Sequence, residues 1–257
     1  MSNADMTPTP EHLVSHALDR GIATLTLQRP DARNALSLAM IEEMDSALDA
    51  IEATEGLRVV VLAGSGKCFC AGMDLKAVQD DPELMGSMLR KLAAFNARLR
   101  RLPVPTIAAV QGAAIGGGCG LMTVCDFAVT HPEAKLGFPE VDLGICPAVI
   151  APWLIKRIGN GRARSILLSG GTMLGEEGHA IGLATHLVAQ DQITQTVETL
   201  AERILAGGPH AIAATKQWLN ELDGSLDEEL LQRGADISAQ MIQGAEAQER
   251  LGRLFGR

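Results

Sequence analysis

Three glycine-bearing segments hold the groups in this chain that could do chemistry. The first, Gly64-Ser-Gly-Lys-Cys-Phe-Cys-Ala-Gly-Met-Asp-Leu-Lys76, directly follows a β-branched run. Its glycines let the backbone approach a ligand, and Asp74 is placed to cap a helix beginning at Leu75. The spacing excludes nucleotide loops. A Walker A pattern would need a glycine at Val61 and a hydroxyl at Cys68, and a dinucleotide fingerprint from Gly64 would need a glycine at Phe69. The second segment, Gln111-Gly-Ala-Ala-Ile-Gly-Gly-Gly-Cys-Gly120, puts consecutive glycines at the start of an apolar helix. Unshielded N–H groups there, reinforced by the helix dipole, suit an anion or a developing oxyanion. The third, Gly137-Phe-Pro-Glu-Val-Asp-Leu-Gly144, sets Glu140 and Asp142 in an otherwise apolar loop. A carboxyl group in apolar surroundings is held toward its neutral form, which brings its pKa near neutrality and fits it for proton transfer. By composition alone, this loop reads as a solvated turn.

Other chemistries lack their residues. Neither Ser65 nor Ser169 has the flanking glycines of a nucleophile elbow. His131, His179 and His186 fall in no metal-ligand spacing. Arg98, Arg100 and Arg101 read as the solvated basic end of a helix.

The elements that must position these segments follow from periodicity. His12 to Leu18 and Ile22 to Gln28 are extended runs around a turn at Asp19-Arg20-Gly21, and the second alternates apolar and polar residues. Ser37 is an N-cap before Leu38, Ile41, Met44, Leu48 and Ile51 at helical spacing. Leu57 to Ala63 is a buried strand, and Leu84 to Leu102 an amphipathic helix stopped by Pro103. Thr106 to Val110 predicts a strand, followed by the glycine cluster, a helix to about Cys125, and a strand from Phe127 to Thr130. Strand, loop and helix repeat, which places the chain in the α/β class. From Ala148 the pattern turns helical, apart from an extended segment at Thr185 to Val188. Helices are expected over Asp191–Leu205, His210–Leu222, Leu226–Ile242 and Ala245–Phe255. The resulting division is an N-terminal arm over 1–10, a core over 11–190 and a helical region over 191–257 that packs on the core or on another subunit.

Composition narrows the function. The chain has 257 residues, 47% of them apolar, and carries a net charge of −9. That balance, with only 3% aromatics and no Tyr, argues against nucleic-acid binding. Pro103 to Cys125 is uncharged and long enough to span a bilayer, yet its proline and glycines would break a single helix, so no membrane association is expected. Five cysteines without framework spacing fit a reducing, cytoplasmic setting, and Met1 to Pro10 lacks the apolar stretch of a secretory signal.

Taken in order, Arg29-Pro-Asp-Ala-Arg-Asn-Ala-Leu-Ser37, Phe69-Cys-Ala-Gly-Met-Asp-Leu75, Gly116-Gly-Gly-Cys-Gly120, Cys125-Asp126 and Phe138-Pro-Glu-Val-Asp-Leu-Gly144 resemble the successive signatures of the crotonase superfamily, the enoyl-CoA hydratase/isomerase family. The likeness runs from about His12 through the helical tail. It implies a spiral of repeated β-β-α turns with a C-terminal helical region that builds a homotrimer or a dimer of trimers. It also implies an acyl-CoA thioester substrate, with no cofactor beyond the coenzyme A that the substrate carries. By motif position, the N–H groups of Met73 and Gly117 would hold the thioester oxygen, and Glu140 would be the acid/base. Ala35, Ala71, Asp74, Leu75 and Lys76 would contact the coenzyme; Arg29, Arg33 and Lys67 are phosphate partners by charge.

One departure bears on the reaction. Hydratases of the family commonly carry a second glutamate where this chain has Gly120, and paired carboxylates suit the addition of water. A single carboxylate suffices to shift a double bond. The segment from Cys146 to Pro152 is similar to branched glutaconyl-CoA hydratase relatives, which favours hydration. Hydratase is thus the first expectation, and isomerase or a non-catalytic acyl-CoA-binding subunit the alternatives.

Overall fold

The computed structural model describes residues 12–78 and 81–256, so the arm expected over 1–10 lies outside the described residues. The described residues open with a hairpin, β1 (Val14–Asp19) and β2 (Ile22–Leu27). Arg20 and Gly21 at its turn both have positive φ (48° and 82°), the turn whose twist matches that of the strands. Helix α1 (Leu38–Glu52) follows, capped by Ser37, whose Oγ accepts from the Met40 N–H at 3.2 Å. Strand β3 (Val59–Gly64) leads through a long loop to α2 (Leu75–Val78) and α3 (Pro82–Arg101). The uncharged stretch after Pro103 folds as β4 (Thr106–Ala109), β5 (Ala114–Ile115) and α4 (Gly117–Val124). No helix among the described residues is long and apolar enough to cross a membrane.

Next come β6 (Phe127–Thr130), β7 (Lys135–Gly137), α5 (Ala151–Ile158), α6 (Asn160–Ser169), β8 (Thr172–Leu174), α7 (Gly175–Ala180) and β9 (His186–Leu187). The chain ends in α8 (Ile193–Leu205), α9 (Pro209–Leu222), α10 (Glu228–Ile242) and α11 (Ala245–Leu254).

Two sheets organise these elements. The larger has the order β1-β2-β3-β4-β6-β9, parallel from β2 onward; the smaller has the order β5-β7-β8. Single parallel bridges, Leu36 to Met73 and Cys70 to Ala114, carry the smaller ladder back to the earlier loops. Each turn of chain therefore lays one strand in the large sheet, touches the small one, and then enters a helix. This is a spiral of β-β-α turns, with the core between sheet and helices built on Leu25, Leu62, Phe69, Phe95 and Phe138. Residues 135–137 and 172–174 are strands that periodicity missed, because two or three residues show no period.

The helical tail docks chiefly by α10 lying along α3, and by a charged centre under α9. Asp126 accepts from Lys216 Nζ (2.7 Å), Arg100 Nη1 (3.3 Å) and the backbone and hydroxyl of Thr106 (2.8 and 3.0 Å). Arg157 donates to the Thr123, Cys125 and Asp126 carbonyls, and burial lowers its pKa and that of Lys216. Arg100 is thus no solvated helix end, and Arg98 is held by Asp45, Asp49 and Glu52. Asp126→Asn would leave the buried Lys216 and the largely buried Arg100 against a neutral amide. A loss of about 3–5 kcal/mol is expected, read as a lower denaturant midpoint at unchanged slope.

Candidate active site

The loop before α2 and the start of α4 meet at one place. Gly72 has φ +89°, and a Cβ there would lie 2.7 Å from the Ile115 carbonyl oxygen and 3.6 Å from the Gly117 nitrogen. Bridge geometry then sets the direction of the Met73 amide. Leu36 N–H donates to the Gly72 carbonyl (2.8 Å) and Asp74 N–H to the Leu36 carbonyl (2.9 Å), so the Met73 N–H between them faces away from Leu36. On the other side, Gly116 N–H donates to the Gly137 carbonyl (2.8 Å), and Gly117 opens α4. Among the described residues, neither the Met73 nor the Gly117 N–H donates to a protein acceptor.

Glu140 stands opposite. It precedes a short 3₁₀ turn, Val141–Leu143, and its own carbonyl accepts from Leu143 (3.0 Å) and Ile145 (2.9 Å), which fixes the loop. Oε1 lies 3.0 Å from where a Gly116 Cβ would stand; Gly116 has φ +53°, so a side chain there would be strained as well as crowded. Oε2 is buried without a hydrogen-bond partner. Burial pushes the Glu140 pKa up to about 7, with a smaller push from the Asp142 charge, while its own backbone amide works the other way. For Glu140 the solvated-turn reading is overturned, since its Oε2 is buried, whereas Asp142 stays exposed. Asp142 turns elsewhere, accepting from the Gly171 N–H at 2.9 Å.

These groups share one cavity, of about 670 Å³ including its open mouth, with Met73, Gly117 and Glu140 in its wall beside Ala71 and Leu75. Ala35, Asp74 and Lys76 do not line it. Asp74 pairs with Arg29 Nη2 (3.0 Å), and Arg29 Nη1 donates to the Ala35 carbonyl (2.5 Å). Arg29 is thereby committed within the chain rather than open as a phosphate partner. Arg33, Lys67 and Lys76 are exposed. Among the described residues, no group of three or more His, Cys, Asp or Glu could hold a metal ion.

Sequence reasoning missed several contributors. Asn34, fully buried in the left-handed region (φ +54°), ties the two loops together. Its Nδ2 donates to the Ser65, Cys68 and Phe69 carbonyls (3.0, 2.8 and 3.1 Å), and its Oδ1 accepts from the Arg29 N–H (2.9 Å). Met85, Leu89 and Leu92 of α3 form a cavity wall. They belong to the buried face of an amphipathic helix, where cavity and core look alike. Ser238 of α10 also lines the cavity; its hydroxyl donates to the Cys146 carbonyl (2.8 Å) and accepts from the Val149 N–H (3.3 Å).

The glycines of α4 differ in what they exclude. A Cβ on Gly118 would sit 2.3 Å from the Cys70 carbonyl oxygen, so Gly118→Ala must displace backbone. A loss of about 1–3 kcal/mol is expected in chemical unfolding. A Cβ on Gly120 would meet Ile150 alone, its Cγ1 at 3.2 Å and its Cδ1 at 3.8 Å. Ile150 fills the space where a longer side chain at position 120 would go.

A β-β-α spiral with a carboxylate and unpaired amides in one apolar cavity defines the class, the crotonase superfamily. The profile of the family described as Enoyl-CoA hydratase/isomerase matches residues 17–253. A putative enoyl-CoA hydratase of Thermus thermophilus is 35% identical over 208 residues, covering 79% of this chain and 82% of that one. The putative enoyl-CoA hydratase/isomerase YngF of Bacillus subtilis is 37% identical over 206 residues, 78% of each chain. The crystal structure of a putative enoyl-CoA hydratase from Mycobacterium avium paratuberculosis superposes with a TM-score of 0.85 at 30% identity, covering 96% of this chain and 98% of that one. The chain belongs to the enoyl-CoA hydratase/isomerase family, and it is an enzyme of that type.

Proposed function

We propose that this enzyme forms and resolves a thioester enolate on an enoyl-CoA, with Glu140 as its proton-transfer group. The observation that carries the reading is a buried carboxylate with one unpartnered oxygen in the same cavity as two amides without acceptors, Met73 and Gly117. In this reading both amides donate to the thioester oxygen, where charge develops as the carbon beside it gains or loses a proton. Ala71 and Leu75 flank that end, and the coenzyme runs over the loops of Ala35, Asp74 and Lys76, with Arg33 and Lys67 as exposed phosphate partners. The steps use no metal and no cofactor beyond the coenzyme A of the substrate.

Hydration is the first reading, supported by relatives that are named hydratases. The water oxygen bonds to the third carbon, Glu140 takes the proton the water releases, and Glu140 then delivers that proton to the second carbon of the enolate. A specific observation favours double-bond isomerisation as the second reading: position 120 has no side chain, and Ile150 occupies the adjacent space. Glu140 would then remove a proton at one carbon and return it at another. Incubation with trans-2- and trans-3-enoyl-CoA, with products followed by mass, separates these. A gain of one water supports hydration, an isobaric product supports isomerisation, and no change in either substrate overturns both.

The setting proposed is cytoplasmic, in keeping with five free cysteines. The assembly proposed is a trimer or a dimer of trimers, supported by the apolar face that Trp218, Leu219 and Leu222 leave exposed on α9 and Leu230, Ile237 and Met241 on α10. Light scattering tests it; a monomeric mass at micromolar concentration would overturn it.

A further inference from the structure

The cavity wall is predominantly apolar. Met85, Leu89 and Leu92 come from α3, and Ile145, Val149 and Ile150 from the segment after Glu140. Among the described residues no Lys, Arg or His lines the cavity, and Glu140 is the one charged side chain in its wall. The one hydroxyl among the described lining residues, Ser238 Oγ, donates to the Cys146 carbonyl and accepts from the Val149 N–H.

From this lining we infer that the acyl pocket takes uncharged hydrocarbon enoyl groups and rejects enoyl groups that end in a carboxylate. The inference rests on the enoyl-CoA reading above and specifies its substrate class. A second carboxylate entering this pocket would give up its water for methyl and methylene groups, with no cation to replace the lost hydration. It would also share a small, weakly screened space with Glu140, which burial already holds toward its neutral form. The similarity of the Cys146–Pro152 segment to branched glutaconyl-CoA hydratases suggests a dicarboxylic substrate, whereas the lining residues argue against one. Val149 and Ile150 of that segment, together with Leu89 and Leu92 of α3, are the lining residues that set the preference.

The test compares two acyl groups of equal carbon count and an uncharged ester of the second. The probes are trans-2-pentenoyl-CoA, trans-glutaconyl-CoA and the methyl ester of the latter, which removes the charge and adds one methyl carbon. At pH 8, kcat/KM for pentenoyl-CoA is expected to exceed that for glutaconyl-CoA by at least about a hundredfold, with the methyl ester recovering most of the difference. Binding of the saturated analogues pentanoyl-CoA and glutaryl-CoA, measured by calorimetry, gives a readout without turnover, and pentanoyl-CoA should bind at least about tenfold tighter. Equal or reversed preference, with both esters turned over, overturns the charge rule and leaves the enolate reading standing. A methyl ester as poor as the free acid overturns it too, since length rather than charge would then be selected. Failure of every ester to bind or react overturns the enoyl-CoA reading and the inference with it.

Discussion

Glu140→Gln is expected to lower turnover by about 10²–10⁴-fold while leaving CoA-ester binding intact. The amide keeps the shape of the side chain but can neither take nor return a proton. The wild-type enzyme should show kcat/KM rising with pH through an inflection near 7, where the Glu140 carboxyl ionises and becomes able to accept a proton; the variant should lack that inflection. Stability should move the opposite way. The carboxyl titrates near 7 in the folded chain and near its ordinary 4.5 in the unfolded one. Its contribution to stability is whole below 4.5 and is lost as pH rises to about 7, because the unfolded chain releases the proton first. Glu140→Gln should therefore match wild type in melting temperature near pH 4.5 and exceed it at pH 8, with a ceiling of about 3 kcal/mol. A variant that keeps full activity, or that melts below wild type at pH 8, would count against a carboxyl serving as the buried base.

Gly117→Pro isolates the second half of the site. Proline is accepted at the first position of a helix, where its missing N–H has no partner within the helix. The substitution thus removes one proposed oxyanion donor with little effect on α4, although its ring atoms must press Leu92 Cδ2 (3.0 Å) and Leu36 Cδ1 (3.4 Å) aside. A fall in kcat of about 10²–10³-fold is expected, corresponding to about 2.7–4 kcal/mol of lost transition-state stabilisation. Circular dichroism and melting separate this from unfolding. A folded Gly117→Pro enzyme with unchanged kcat would remove the amide from the mechanism.

The sequence disclosed its long elements well and its short ones poorly. The alternation of β2, the cap at Ser37 and the apolar face of α3 each repeat often enough to be read, whereas β5, β7 and β8 are too short to show a period. Order also counted: Met73, Gly117 and Glu140 stand out once the five motifs are taken together, because each motif alone fits an ordinary turn. What could not be read was anything set by tertiary contact. The burial of Glu140, the commitment of Arg29 to Asp74, and the filling of the space beside Gly120 by Ile150 all depend on residues far apart in the chain. Asn34 was similarly hidden, since its three carbonyl partners lie more than thirty positions away.

The hydroxyl of Ser238 has a consequence for how this protein can be re-engineered. It stitches α10 to the Cys146–Val149 strip that forms part of the pocket wall. Substrate range and tail sequence are therefore one inherited unit. A chimaera that exchanges residues beyond 190 with a relative should change which esters it prefers, unless the strip travels with the graft.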